Sequence, residues 1–347
     1  MINVHTQIPI HLRLSSSMIF VLQHITRRRW VEKLRKKNIQ WIRRSLERSY
    51  PAEVINVDRV QDLEEKNFIK NYLNKGLPVI FSGCANDWPC TMKWSLDFLK
   101  SQYPEEEFSL IDSTGLVEQE YDQTKENQNP VFIDKIKAKD FVDKTKAGEK
   151  PYLRFCPIME THPELEQDLD QSWLKKMRRC FLGISYQSFI GPSGRKTPLH
   201  SETTAFFYVM ADGEKKWTLY SPTVFPLLNP EAQGRGYNFS RFNLKDADES
   251  KYPGAKQLHR YECILKKGDI LFVPAWMWHE VENITDGWGV SYRMTNLRGF
   301  LKHPVFVFIR LFLTKPSFFE ILYYSFFKSD IAKRKKNLLT PKIFFKK

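Results

Sequence analysis

Two histidines and one glutamate occur at spacings that would let them share one metal ion. His200 and Glu202 lie two residues apart in the segment Thr197–Glu202, and residues two apart in a strand project to the same face. His279 closes the segment Phe272–His279, so it is predicted to lie at the end of a later strand. Two imidazoles and one carboxylate suit non-haem Fe(II), which keeps coordination positions open for a co-substrate and O₂. The pattern therefore predicts that His200, Glu202 and His279 form both the metal site and the catalytic centre.

A second His-x-Glu pattern, formed by His162 and Glu164, competes with this assignment. It stands beside prolines in an acidic stretch, where Thr161 is expected to cap the following helix. His259 is also predicted to lie on a strand, but no carboxylate stands two residues away from it. A lone histidine is more often structural than a ligand, and His-x-Glu alone is a weak pattern. We therefore expect the metal at His200, Glu202 and His279.

The second half of the chain is predicted to be an all-β barrel or jelly roll. Short segments there are rich in aromatic or β-branched residues and are bounded by turns, as in such folds. These segments are Ile184–Ile190, Thr204–Met210, Lys216–Tyr220, Gln257–Leu265, Asp269–Val273 and Gly289–Met294. Asp212-Gly213 between two of them predicts a type I′ hairpin, because both central residues of that turn need positive φ. The expected fold class is mainly β with flanking helices (α+β).

Three segments in the first half of the chain are predicted to be helices. Helical periodicity covers Arg27–Arg48, which is basic and amphipathic, and also Asp58–Asn74 and Pro163–Arg179. Between them, Leu77–Gly83 is predicted to be a buried strand, and Ser95 is expected to cap a short helix.

Composition divides the chain into three predicted parts. Residues 1–50 form a basic helical extension, residues 51–298 the barrel domain, and residues 299–347 a basic and aromatic helical extension. Within the barrel domain, Asp112–Asn129 is polar and acidic without a clear period, so we predict loops or short strands there.

The net charge of +14 is concentrated at the two ends of the chain. Residues 1–50 and 299–347 each carry +9, which leaves −4 for residues 51–298. An enzyme of nucleic acids more often carries its positive charge around the active site, where phosphates must pass. A nucleic-acid substrate is therefore possible but not favoured.

Cysteine usage and hydropathy indicate a cytoplasmic protein. The five cysteines form no Cys-x-x-Cys pair, so neither a disulfide framework nor a thiolate zinc site is expected. The N-terminal residues do not follow the pattern of a signal peptide, and we expect no membrane-spanning helix, since no unbroken apolar run reaches about 20 residues.

Three segments of this sequence resemble the cupin-like JmjC hydroxylases, the group similar to the asparaginyl hydroxylase that acts on hypoxia-inducible factor. They are Pro78–Trp94 (PVIFSGCANDWPCTMKW), Ser188–Lys216 (SFIGPSGRKTPLHSETTAFFYVMADGEKK) and Lys267–Asn283 (KGDILFVPAWMWHEVEN). The resemblance extends over roughly Val54–Arg298 and leaves out both basic ends. It implies a double-stranded β-helix that binds Fe(II) and uses 2-oxoglutarate and O₂ as co-substrates.

The resemblance also assigns residues to the co-substrate. The far carboxylate of 2-oxoglutarate would meet Lys215 and Thr197, and Tyr152 matches a tyrosine that bonds the same carboxylate. A solvated lysine and a packing tyrosine are the structural alternatives at these positions. This chain departs from the family pattern in two ways. Glu202 stands where many members have aspartate, and asparagines that often assist the co-substrate are replaced by Phe206 and Ser291.

We predict a 2-oxoglutarate-dependent dioxygenase that hydroxylates a protein side chain or a small metabolite. A hydroxylase of a modified tRNA base is one alternative. A second alternative is a non-catalytic or isomerase-type metal-binding cupin. A third is a scaffold or membrane-surface protein that functions through the two ends of the chain, with a vestigial barrel. Lys215 and Thr197 argue against the binding cupin, and the complete ligand set argues against the scaffold.

The aromatic C-terminal segment is predicted to pack against a second surface. Val305–Leu313 is followed by Ser317–Glu320, a capping-box pattern that predicts a helix through Phe327. Similar enzymes form dimers through their C-terminal helices, so we expect a homodimer. Peripheral association with an anionic membrane, helped by the basic cluster Lys333–Lys336, is the alternative. The expected dimer contacts are Phe306, Leu313 and Phe319.

Overall fold

The computed structural model describes residues 8–26, 28–46, 52–111, 132–178, 182–232, 238–240, 242, 252, 254 and 257–314. These residues form two large β-sheets, a separate two-stranded sheet, and helices packed around them. The predicted class, mainly β with flanking helices around a jelly-roll core, is confirmed. The predicted loops at Asp112–Asn129 and the predicted helix after Ser317 lie outside the described residues.

The strands are numbered in chain order. They are β1 (Val54–Asn56), β2 (Asp58–Val60), β3 (Val79–Phe81), β4 (Glu107–Ile111), β5 (Phe132–Lys137), β6 (Leu153–Cys156), β7 (Leu182–Gly191), β8 (Lys196–Ser201), β9 (Ala205–Asp212), β10 (Glu214–Tyr220), β11 (Asn238–Phe239), β12 (Arg260–Lys266), β13 (Ile270–Val273), β14 (Trp278–Asn283) and β15 (Gly287–Thr295). One sheet has the order β1-β12-β10-β14-β8-β11, and the other β2-β3-β13-β9-β15-β7-β6. Pairing is antiparallel except at β1–β12 and β2–β3.

Strand β9 shows why the sequence builds a closed, two-layer core. Its alternate residues Phe206, Tyr208 and Met210 pack into the hydrophobic cluster between the two large sheets. The residues between them, Phe207 and Val209, pack into a second hydrophobic cluster, which includes side chains from the surrounding helices. Both faces of β9 are thus covered, which explains a nearly continuous apolar run where a half-exposed strand would alternate with polar residues.

Helices from both ends of the chain and from the connections between strands surround this core. The helices are Ile10–Thr26, Arg29–Leu46, Glu65–Phe68 with a π-helical continuation Ile69–Leu73, Pro89–Lys93, Leu96–Gln102, Ala138–Lys146, Ile158–Thr161, Gln171–Met177, Phe225–Leu228, Leu297–Leu301 and Pro304–Phe312, with 3₁₀ turns at Pro163–Asp168 and Pro222–Val224. Of the helices that the structure describes, none has the length and apolar character needed to cross a membrane.

The first and last helices of the described chain pack together. Phe20 of the helix Ile10–Thr26 contacts Phe225 and Phe306, with ring centroids 5.5 and 6.4 Å away. Phe306 is therefore buried inside its own chain and is not available to a second subunit, contrary to its expected place in a dimer interface.

The helical predictions in the first half need two corrections. The segment Asp58–Asn74 begins with strand β2 and becomes helical only at Glu65. The predicted helix Pro163–Arg179 is a 3₁₀ turn followed by Gln171–Met177, whose cap is Asp170. Thr161 does not cap it. The predicted cap at Ser95 is confirmed, since its side chain accepts a hydrogen bond from the Phe98 N–H.

The predicted type I′ hairpin at Asp212-Gly213 is wrong. Strand β9 pairs with β13 and β15, whereas β10 pairs with β12 and β14, so the chain crosses from one sheet to the other at Gly213. Gly213 has φ +82°, and a Cβ atom there would lie 2.2 Å from the carbonyl oxygen of Asp286. A type I′ turn needs positive φ, and so does this crossing at Gly213, so the dipeptide alone does not distinguish the two.

We predict that Gly213→Ala lowers the free energy of unfolding by about 3 kcal/mol or more, because backbone strain and a steric clash add together. Gly148→Ala is the matched control, since Gly148 also has positive φ but has no atom within 4 Å of its would-be Cβ. It should cost only about 1–2 kcal/mol. Urea unfolding of the two variants tests this, and equal losses would contradict the close approach at Gly213.

Candidate metal and co-substrate site

Strand pairing brings the two predicted histidine ligands together. His200 on β8 is the direct cross-strand partner of His279 on β14, and their ring centroids lie 4.1 Å apart. The predicted position of His279 at the end of a strand needs correction, because β13 ends at Val273 and His279 is the second residue of β14. Pro274 and Trp276, which has φ +64°, break the run between the two strands.

Backbone carbonyls orient both imidazoles for metal binding. The Nδ1 atom of His200 lies 2.8 Å from the carbonyl oxygen of Pro198, and Nδ1 of His279 lies 3.0 Å from that of Met277. A carbonyl can only accept, so each Nδ1 carries the proton and each Nε2 keeps its lone pair for a metal. Burial and the neighbouring His200 lower the pKa of His279 to about 3, which keeps it a neutral ligand.

Glu202 completes the group just beyond the end of β8. Its backbone carbonyl accepts a hydrogen bond from the Trp276 N–H at 2.7 Å, so the turn before β14 holds it in place. Its carboxylate lies 3.3 Å from Nε2 of His200 and forms a two-point ion pair with Arg293, in which the Nη2–Oε1 distance is 2.7 Å. Burial favours the neutral acid, but the Arg293 guanidinium together with the neighbouring His200 and His279 outweighs it and holds the pKa of Glu202 well below its usual range.

One potential ligand atom from each of His200, Glu202 and His279 lies within 4.8 Å of the others, and all three residues are buried. They form the one histidine, cysteine and carboxylate cluster of this kind in the part of the chain that the structure describes. The competing His162 instead contacts Glu106 and Glu164 in a half-exposed cluster. His259 accepts a hydrogen bond from the Glu53 N–H. Neither of these histidines joins the cluster.

Lys215 is a buried cation that lacks an anionic partner in the described part of the chain. Its side chain is fully enclosed, and the residue is 1% exposed. Its Nζ atom donates to Oδ1 of Asn283 at 2.7 Å and lies 5.8 Å from the centre of the Tyr152 ring. Burial lowers the pKa of Lys215 to about 7, since no neighbouring carboxylate compensates for the lost hydration. The solvated-lysine alternative is therefore excluded at this position.

The other two predicted co-substrate residues lie beside Lys215. The hydroxyl oxygens of Tyr152 and Thr197 are 3.1 Å apart, and both residues are buried. A Cβ atom on Gly191 would lie 2.5 Å from the Tyr152 ring, so the absence of a side chain at Gly191 allows the ring to reach this position. The structure thus places Lys215, Tyr152 and Thr197 together.

A cavity between the two large sheets connects two of these residues with the histidines. Its lining includes Tyr152 and Thr197 together with His200 and His279. The remaining lining residues are Phe189, Phe206, Tyr208, Trp217, Val281, Ser291 and Arg293. The Tyr152 and Thr197 side chains and the two imidazoles therefore line one cavity, whose other walls are mostly aromatic or aliphatic.

Sequence reasoning missed three residues of this site. Asn283 is the hydrogen-bond partner of Lys215, and it stands opposite Lys215 in the pairing of β10 with β14. Trp217 lies two residues after Lys215, so strand alternation could have placed it in the cavity. Arg293 lies two residues after Ser291 on β15 and could have been found in the same way, as a charged residue within an otherwise apolar strand.

Comparisons with known proteins agree with this architecture. Residues 65–296 match the family model of the cupin-like domain. The chain is 26% identical over 245 residues to lysine-specific demethylase JMJ30 of Arabidopsis thaliana, covering 69% of this chain and 55% of that protein. For lysine-specific demethylase 8 of Danio rerio the identity is 26% over 244 residues, covering 68% and 57%. The chain thus spans about half the length of these two relatives.

A third relative is covered more completely. The chain is 26% identical over 275 residues to the tRNA wybutosine-synthesizing protein 5 of Gallus gallus, and the alignment covers 74% of this chain and 80% of that protein.

We predict that the protein binds one divalent metal ion, and that His200→Ala or Glu202→Ala abolishes binding because each removes a ligand from a set of three. His162→Ala is the matched control, since it removes the other His-x-Glu pair, and it should leave the affinity unchanged. Calorimetric titration with Mn²⁺ measures all three variants. Undiminished binding in either ligand variant would refute the assignment.

Proposed function

This chain belongs to the cupin-like domain family, and from that membership we propose that it is an oxygenase dependent on Fe(II) and 2-oxoglutarate. The observation that carries the proposal is the buried Lys215, which has no carboxylate partner among the described residues. Its Nζ atom lies 5.8 Å from the centre of the Tyr152 ring. Tyr152 is hydrogen-bonded to Thr197, and both residues line a cavity together with His200 and His279.

The chemistry of Lys215 calls for an anionic ligand. An ammonium group loses several kcal/mol of hydration when it is buried alone, and a charged partner with further hydrogen bonds can restore much of that loss. A carboxylate at Lys215 could also accept hydrogen bonds from the Tyr152 and Thr197 hydroxyls. A dicarboxylate such as 2-oxoglutarate fits, because its second carboxylate could then reach the metal ligands. A metal-binding cupin that takes no such ligand would leave Lys215 unpaired.

The donor set fits Fe(II). His200, Glu202 and His279 would hold the ion through two Nε2 atoms and one carboxylate oxygen, which leaves positions for the co-substrate and O₂. When bound, the iron would supply the oxidative step that inserts an oxygen atom into a C–H bond while 2-oxoglutarate becomes succinate and CO₂. The chain's own contribution is positioning: the backbone carbonyls of Pro198 and Met277 fix the two imidazoles.

The apolar walls of the cavity would keep water from the reacting atoms. Phe206 contacts the ring of His279 edge-on, with centroids 5.4 Å apart, and Trp217 stacks on the same ring at 5.7 Å. In water-poor surroundings the attraction between Lys215 and a carboxylate is stronger than at the protein surface. The aromatic side chains therefore contribute to co-substrate binding without contacting its charged end.

We propose a protein side chain or a small metabolite as the molecule that is hydroxylated. Two of the relatives are named as lysine-specific demethylases, which agrees with a protein substrate. A tRNA base is the second candidate, because the alignment covers 80% of a relative named for tRNA wybutosine synthesis. The net charge of −4 on residues 51–298 disfavours a polyanion at the barrel. Succinate release stimulated by peptides, metabolites or tRNA would distinguish these substrates.

A homodimer through the C-terminal segment remains a prediction. Phe308 and Phe312 of the helix Pro304–Phe312 are exposed at 44% and 60%, which supports an apolar contact with a second copy. Peripheral membrane association, the alternative, depends on the basic cluster outside the described residues. Light scattering at high salt, without and with anionic vesicles, separates the two proposals.

We predict that the wild-type protein with Fe(II) releases succinate from 2-oxoglutarate, and that Lys215→Ala raises the apparent KM for 2-oxoglutarate by roughly a hundredfold or more. Deleting one partner of a buried charged pair costs about 3 kcal/mol or more, which corresponds to that factor.

Lys216→Ala is the matched control. Lys216 is the next residue of β10, but its side chain is half-exposed and paired with Glu262. Its loss should leave KM unchanged. A wild-type KM in Lys215→Ala would contradict the anchoring role, and no succinate release by any of the three proteins would refute the proposed activity.

A further inference from the structure

Arg293 is a largely buried cation beside the candidate metal ligands. Its side chain is 12% exposed and forms the two-point ion pair with the carboxylate of Glu202. Its Nε–H donates to the Ser291 hydroxyl at 3.2 Å, and the guanidinium lies 5.8 Å from the centre of the Phe206 ring. Among the residues lining the cavity, Arg293 is the cationic one.

This position has an electrostatic consequence for metal binding. Arg293 already neutralises Glu202, the anionic member of the ligand group. A divalent ion entering the group must share Glu202 with the guanidinium, and it meets a positive charge at close range in a site sheltered from solvent. Arg293 therefore weakens the binding of a metal ion that arrives without the co-substrate. A dianionic ligand that arrives with the ion offsets this repulsion.

The polar groups near the histidines also indicate where an anion would bind. Phe206 offers no hydrogen bond to an anion there. The Nε1–H of Trp217 is a neutral donor that is buried without a partner in the described part of the chain. The guanidinium of Arg293 has five N–H donors in a planar fork suited to carboxylates. When a metal ion takes an oxygen of Glu202, at least one of these donors becomes available on the metal side of the cavity.

We propose that Arg293 binds the metal-side carboxylate of the dicarboxylate co-substrate, opposite the end held by Lys215, and so makes metal and co-substrate bind cooperatively. The inference rests on the proposed function. It assigns Lys215 and Arg293 to the two carboxylates of one ligand. Because coupling between two binding sites is reciprocal, the same factor must appear in the metal affinity and in the 2-oxoglutarate affinity.

The test is calorimetric titration of Mn²⁺ into the full-length protein, without and with saturating 2-oxoglutarate and in the absence of Fe(II). For the wild type, 2-oxoglutarate should tighten Mn²⁺ binding by about tenfold or more, which is a typical coupling factor. Arg293→Met should bind Mn²⁺ alone about tenfold more tightly than the wild type. The factor by which 2-oxoglutarate tightens Mn²⁺ binding should also be severalfold smaller in this variant, because the repulsion of the ion and the hydrogen-bond donor to the carboxylate are both removed.

Arg178→Met is the matched control, because Arg178 donates to the Tyr292 hydroxyl from outside the cavity and does not contact Glu202. It should bind Mn²⁺ with the wild-type affinity, both without and with 2-oxoglutarate. Arg293→Lys is less disruptive to folding and provides a second test. A single ammonium keeps the charge but loses the fork, so Mn²⁺ alone should bind as weakly as in the wild type, while the Kd for 2-oxoglutarate rises about tenfold.

Unchanged Mn²⁺ affinity and unchanged enhancement in Arg293→Met would overturn the proposal, as would a wild-type Kd for 2-oxoglutarate in Arg293→Lys. Weaker binding of Mn²⁺ alone in Arg293→Met would also overturn it, because Arg293 would then serve only to hold Glu202 in place. A wild-type protein that binds neither Mn²⁺ nor 2-oxoglutarate would refute the proposed function itself, and this inference with it.

Discussion

The site depends on a buried lysine that has no negative partner among the described residues. Lys215 lies inside the barrel, where the described residues offer its ammonium the Asn283 side-chain oxygen and the face of the Tyr152 ring. Folding must pay for this burial through the packing of the two sheets, since the enclosed amine loses either its hydration or its proton. An anionic ligand recovers part of that cost. The proposed affinity of the site for a dicarboxylate thus has its origin in the fold.

Strand register connects this charge to the metal-binding groups. The pairing of β14 with both β8 and β10 places His279 beside His200 at one end and Asn283 beside Lys215 at the other. The second sheet contributes Arg293, which reaches across to Glu202. Because each sheet supplies part of the site, a shift of one strand by one residue would turn its side chains away from the cavity. The closed core of aromatic residues around β9 opposes such a shift.

Much of this site could be predicted from the sequence, because its residues stand in local patterns. His200 and Glu202 are two residues apart, and Lys215 and Thr197 match positions in motifs that the family shares. Contacts between distant strands could not be predicted in the same way. The turn at Gly213 satisfies the pattern of a hairpin, yet the pairing partners of β9 and β10 make it a crossing between sheets. Arg293 pairs with Glu202 across 91 residues of sequence, and no local pattern records that distance.

Proton uptake on co-substrate binding tests the role of Lys215 most directly. Burial lowers its pKa to about 7, and a bound carboxylate favours the charged form and raises that pKa again. Above pH 7 the free site is therefore largely neutral, and binding must take up a proton. Calorimetry of 2-oxoglutarate binding to the Mn²⁺-loaded protein at about pH 8.5, in buffers of different ionisation enthalpy, should give an uptake of about one proton. In Lys215→Arg the side chain at this position stays charged, so 2-oxoglutarate binding should take up no proton there. Absence of uptake in the wild type, or equal uptake in Lys215→Arg, would contradict the account.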